Sequence, residues 1–77
     1  MQQEAIQNPN MKSMSIGVVG LGDIGGGAAR SIAAAGHQLV VCDLRADVLE
    51  GFAEIATLAA TPADLARQCS LTLISVV

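Results

Sequence analysis

Seventy-seven residues make at most one small domain, too short to bury more than about 60–65% of its unfolded surface. A formal net charge of −3 with only four scattered basic residues (Lys12, Arg30, Arg45 and Arg67) argues against a nucleic acid or an anionic membrane as partner. No apolar run reaches the ~18 residues of a membrane span, and the distant Cys42 and Cys69, with no Cys-x-x-Cys, suit a reducing, cytoplasmic setting better than a disulfide scaffold.

Met1 to Met14 is rich in Gln and Asn and reads as a disordered leader, with Met11 and Met14 as alternative starts. It has no apolar core, so it does not read as a signal peptide. Residues 15–77 read as one partial α/β domain. Ser15 to Val19 is apolar almost throughout, as expected of a parallel strand covered on both faces. A helix is predicted from near Ile24, with Gly25, Ala28, Ala29, Ile32, Ala33 and Gly36 forming a smooth face of small residues for close packing on a sheet. Gly26 and Gly27 each disfavour a helix interior by about 1 kcal/mol relative to Ala, less in the first turn. Gly36 is the expected stop.

Gln38 to Cys42 reads as the second strand, and Ala46 to Ala56 as the second helix, turning Val48, Leu49, Phe52 and Ile55 to the sheet. A short third strand is expected near Thr57 to Ala59. Thr61-Pro62-Ala63-Asp64 is a helix start, with Thr as cap, Pro at the first position and Asp returning three residues later. That helix runs to about Gln68, and Leu71 to Val77 forms the fourth strand. The βαβαβαβ order calls for a parallel sheet with right-handed crossovers. Because the sequence stops inside an apolar run, a truncated domain is expected.

Gly20-Leu21-Gly22-Asp23-Ile24-Gly25 joins the first strand to the first helix, and Asp43 comes about twenty residues later at the end of the second strand. In this context Gly-x-Gly-x-x-Gly is a dinucleotide-binding signal. Gly20 lets the chain turn sharply, Gly22 lets the backbone approach a pyrophosphate, and Gly25 lets the helix sit close on the sheet. Amides near Asp23 and Ile24 would meet the phosphates, aided by the helix dipole. The Asp23 carboxylate would be repelled by them, so its side chain is expected in solvent.

Asp43 has two readings. It can accept hydrogen bonds from both hydroxyls of an adenosine ribose and repel a 2′-phosphate, favouring NAD over NADP, or it can form the turn that caps the next helix. Arg45 pulls the other way, since a basic residue here can welcome the extra phosphate. His37 lies before the second strand, away from the expected cofactor edge, and reads as a turn or packing residue. Cys42 reads as a small buried hydrophobe, and Cys69 as structural. Asp47, Glu50, Glu54 and Asp64 read as solvated helix surface. No metal-ligating cluster and no Ser/His/Asp constellation is present.

From Ile16 to Val77 the chain resembles the N-terminal domain of the β-hydroxyacid dehydrogenases, the family of 3-hydroxyisobutyrate, tartronate semialdehyde, threonate and 6-phosphogluconate dehydrogenases. The likeness rests on Val18-Val19-Gly20-Leu21-Gly22-Asp23-Ile24-Gly25-Gly26-Gly27-Ala28-Ala29-Arg30-Ser31-Ile32, on Ala35-Gly36-His37 and on Thr61-Pro62-Ala63-Asp64. Ile24 stands where the family usually has Met. Members using NADP often carry Asn-Arg where this chain has Asp43-Leu44, which supports NAD.

The resemblance implies an incomplete Rossmann-type sheet of four strands and three helices. It places the cofactor on Gly20, Leu21, Gly22, Asp23, Ile24, Gly25, Asp43 and Leu44, and on Val77, beyond which the family's next residues line the nicotinamide ribose. It also implies hydride transfer between the nicotinamide and a small hydroxy acid, with a Lys as general acid/base. That Lys and the substrate segment would lie beyond residue 77. The chain would then carry the cofactor half and no catalytic residue, and would be inactive alone. Oligomers would form through regions absent here. Two other readings stay open: a stand-alone NAD(P)-sensing module, and an S-adenosylmethionine-binding domain, against which the third glycine and the downstream likeness count.

Overall fold

Where the chain crosses over the sheet decides which strand ends meet. In the computed structural model, which describes residues 14–75, the order is β1 (Ser15–Val19), α1 (Asp23–Ala34), β2 (Gln38–Cys42), α2 (Ala46–Glu50), β3 (Thr57–Leu58), α3 (Pro62–Gln68) and β4 (Leu71–Ile74). The strands are all parallel and lie in the order β3-β2-β1-β4. Gly17 of β1 sits between Val40 of β2 and Thr72 of β4. The chain builds outward from β1 through β2 to β3, then returns to lay β4 on the other side of β1. All strands therefore end at one edge, and the winding reverses between β1 and β4. Among the described residues this gives four parallel strands and three helices, the parallel sheet that the alternation predicts and the Rossmann-type α/β arrangement that the resemblance implies.

Successive side chains of a strand point to opposite faces, and both faces of β2 are covered. Leu39 and Val41 join Val18, Leu21, Ala29 and Phe52 beneath α1 and α2. Val40 and Cys42 join Ala59 and Leu65 beneath α3. This two-sided burial is why β2 is apolar without a break from Leu39 to Cys42. On the α3 side, a Cβ at Gly17 would stand 2.3 Å from Leu65 Cδ2 and 2.8 Å from Cys69 Sγ, so a bare backbone in β1 lets α3 lie close.

In α1 the residues buried against the sheet are Gly25, Gly26 and Ala29, with Ile32 and Ala33 partly buried behind them. Gly26 thus belongs to the packing face, a role its low helix propensity does not reveal. A Cβ there would lie 3.2 Å from the Leu21 carbonyl oxygen and 3.6 Å from Phe52 Cζ. The Arg30 guanidinium covers the Phe52 ring at 4.8 Å from the centroid. Gly36 is exposed and does not share that face, but it does stop the helix. Its φ is +91°, its amide donates to Ala33 and that of His37 donates to Ile32, the paired bonds of a Schellman end.

The second helix is shorter than its periodicity predicts. It ends at Glu50, and Gly51, Phe52, Ala53 and Ile55 then donate to carbonyls three residues back rather than four. Tightening to three residues per turn rotates the rest of this segment, so Ile55 is left exposed and Ala56 takes its place against the core. Gly51, a poor helix former, marks the change.

The helix start at Thr61 is as expected in one half only. Thr61 Oγ1 accepts the Asp64 amide at 3.0 Å and Pro62 opens the helix. The Asp64 carboxylate, however, pairs with Arg67 instead of reaching back to the cap. The third and fourth strands are shorter than predicted, ending at Leu58 and Ile74. Val76 and Val77 lie outside the described residues, as does the predicted leader up to Ser13.

Candidate functional site

The strand ends converge on a cleft of about 920 Å3, floored by the loop between β1 and α1. Gly20, Gly22, Asp23 and Ile24 form one wall. Cys42 at the end of β2 and Asp43 to Arg45 after it form another, and Ala60 to Pro62 with Ser75 close the sides. The cleft thus lies at the carboxyl ends of the strands, beside the reversal of winding, where open parallel sheets take their ligands.

The three glycines have different reasons. Gly20 adopts φ +94°, and a Cβ on it would fall 1.9 Å from the Ser75 carbonyl oxygen. A Cβ on Gly25 would fall 1.8 Å from the Gly20 carbonyl oxygen. Both are required by the protein's own turn and by the approach of α1 to the loop. Gly22 is not. Its φ is −70°, and a Cβ there would meet nothing within 4 Å. It faces the cleft as the N-cap of α1 and offers no side chain to cap the first-turn amides. A cap Ser, Thr or Asp would normally supply that acceptor.

Asp43 closes the site from β2. Its side chain is only 5% exposed. Oδ2 accepts the Leu21 amide at 2.7 Å and Arg45 Nη2 at 3.0 Å. Oδ1 accepts the Arg45 amide at 2.8 Å and Arg45 Nε at 3.0 Å. The Arg45 side chain first, then the backbone amides of Arg45 and Leu21, hold the carboxyl well below the usual carboxylate range. The Arg45 guanidinium is correspondingly pushed up by its bonds to Asp43. The bond from the Arg45 amide is the turn-forming role that the sequence allows. The bond from Leu21, across the loop, is not foreseeable from spacing.

Six of the nine residues expected to hold the cofactor line the cleft: Gly20, Gly22, Asp23, Ile24, Asp43 and Leu44. Leu21 and Gly25 lie buried beneath it, and the Leu21 amide is already committed to Asp43. Val77 lies outside the described residues. Asp23 is exposed, as its charge requires. Ile24 and Leu44 are 82% and 103% exposed, two apolar side chains uncovered at the mouth of the cleft. Thr61, Pro62 and Ser75 also line it, though none is among the residues expected to hold the cofactor; the signal that could have found them is topology, since each comes after a strand that ends at this edge.

Of the other reactive groups, Cys42 lines the cleft and His37 lies away from it. Cys42 is buried, and desolvation, then the Asp43 charge, pushes its thiol up, which opposes a thiolate role. Both cysteines are free. His37 lines a separate hollow with Ser15 and Gln38, at the opposite edge of the sheet. Among the described residues no three His, Cys, Asp or Glu side chains gather as a metal site, and no helix is long and apolar enough to cross a membrane.

The family model for the NAD binding domain of 6-phosphogluconate dehydrogenase matches residues 15–77. L-threonate dehydrogenase of Cupriavidus necator is 44% identical over 66 residues, covering 84% of this chain and 22% of that enzyme. Imine reductase from Pseudomonas sp. superposes with a TM-score of 0.76 at 25% identity, over 80% of this chain and 22% of the other. L-Tryptophan dehydrogenase from Nostoc punctiforme shares the fold, with a TM-score of 0.77 at 20% identity over 94% of this chain and 22% of the other. The chain therefore spans about a fifth of the length of these relatives.

Proposed function

Because the chain belongs to the family of the NAD binding domain of 6-phosphogluconate dehydrogenase, we propose that its cleft holds the adenosine and pyrophosphate of NAD, with NADP disfavoured by Asp43. The observation that carries this reading is Gly22. Neither its backbone angles nor its neighbours require glycine, so the space a side chain would fill is explained by a ligand approaching the backbone.

The residues fit such a group. The first-turn amides of α1 lack a side-chain cap and present donors to an anion, with the helix dipole behind them. Gly20 and Gly25 hold that turn in place. Asp43 would turn its carboxylate oxygens to the ribose hydroxyls, and Leu44 and Ile24 would give apolar cover. Bound nicotinamide would supply hydride exchange with the hydroxyl-bearing carbon of a small hydroxy acid. This chain would bind and orient the cofactor, while the general acid/base and the substrate contacts would come from elsewhere in a longer dehydrogenase.

Calorimetric titration of NAD and NADP into the chain and its Gly22→Val variant tests the reading. The expected result is a preference for NAD that Gly22→Val abolishes without altering the circular dichroism spectrum. A Gly22→Val chain that binds NAD as well as the parent would overturn it.

A further inference from the structure

We propose that Arg45 competes with the adenosine ribose for Asp43, its guanidinium standing in for the ribose diol until the nucleotide displaces it. The inference rests on the proposed cofactor reading and concerns how that site is guarded.

A carboxylate has about four acceptor sites, two on each oxygen. On Asp43 all four are taken. Each oxygen holds one backbone amide, Leu21 on Oδ2 and Arg45 on Oδ1, and one guanidinium nitrogen, Nη2 on Oδ2 and Nε on Oδ1. The amides are fixed by the turn and the loop. The guanidinium is not, since the Arg45 side chain is 56% exposed. It is therefore the exchangeable pair, and it presents two donors side by side, as a vicinal diol does. A ribose that engages both oxygens must take the places of Nε and Nη2.

Half-exposed ion pairs are weak, so the competition is modest in size and readable as an affinity ratio. Adenosine monophosphate and its 2′,3′-dideoxy analogue share base and phosphate and differ only in the diol. Their affinities are measured by amide-shift titration of the 77-residue chain, of Arg45→Met and of Arg45→Lys. Lysine keeps the charge but lacks the planar fork that spans both oxygens.

The expected result is that the ratio of the two affinities rises about fivefold in Arg45→Met, the scale of an exposed ion pair, and part of the way in Arg45→Lys. Loss of general phosphate attraction cancels in that ratio. An unchanged ratio with the parent chain still binding adenosine monophosphate would overturn the inference and leave the cofactor reading standing. A falling ratio would do the same, by showing that Arg45 itself holds the diol. Failure of all three chains to bind either nucleotide would overturn both. Should Arg45→Met not fold, the same comparison on Arg45→Lys decides, with its smaller rise.

Discussion

The Asp43 carboxylate accepts the backbone amide of Leu21 at 2.7 Å, tying the end of β2 to the loop after β1. Leu21 is buried, so its amide depends on this partner. Asp43→Ala leaves that donor unpaired and is expected to lower stability by about 1–3 kcal/mol. Asp43→Asn keeps an acceptor oxygen and should recover much of the loss. Thermal unfolding of the two variants checks this; equal stability of Asp43→Ala and the parent chain would show that the bond contributes nothing. Nucleotide affinities of Asp43 variants therefore need comparison at temperatures where both chains are folded.

The same carboxylate sets an acid dependence. Its folded pKa is depressed, through Arg45 first and the two backbone amides next. A depressed folded pKa stabilises the fold fully above the unfolded value, about 3.9, and that stability is lost as pH falls through the folded value. The unfolding midpoint should stay level between neutral pH and about 5, then decline below about 4. Asp43→Asn should flatten that decline. A variant whose midpoint falls as steeply as the parent's would place the acid sensitivity on another group.

Gly25 and Gly27 stand two residues apart in α1 and should respond oppositely to alanine. A Cβ at Gly25 would overlap the Gly20 carbonyl oxygen at 1.8 Å, backbone against backbone, where neither side can yield. Gly25→Ala is expected to destabilise by about 3 kcal/mol or more. Gly27 is exposed and a Cβ there meets nothing within 4 Å, so Gly27→Ala should stabilise by about 0.5–1 kcal/mol through helix propensity. Denaturant unfolding of the pair reads both, and a destabilised Gly27→Ala would contradict the packing.

The sheet and the cleft are largely legible in the sequence because their signals are local. Apolar runs mark β1 and β2, and the glycine spacing marks the turn between strand and helix. The features that sequence reading misses depend on distance or on angle. The Leu21 to Asp43 bond joins residues far apart in the chain, and no spacing rule specifies it. Ile55 faces outward because the turns after Glu50 tighten, a rotation that a uniform helical period does not contain. Gly26 looks like a weak helix residue until Phe52 is found against it.

β4 gives the last prediction. It pairs only with β1 among the described residues, so its other edge offers unpaired backbone groups. Leu71 and Leu73 are 49% and 39% exposed on one face, and Ile74 is 71% exposed on the other. Such an edge, apolar and free of charge, is a template for another strand. The 77-residue chain should therefore associate with rising concentration, and Leu73→Lys should suppress this by placing a charge on that face. Leu73 is partly exposed, so the lysine stem can lie along the sheet while the ammonium reaches water, and the fold should tolerate it. Light scattering after size exclusion, across a range of about 10 to 500 µM spanning the concentrations where exposed edges aggregate, measures both chains. A parent chain that stays monomeric throughout would show that this edge is not sticky, whatever its composition suggests.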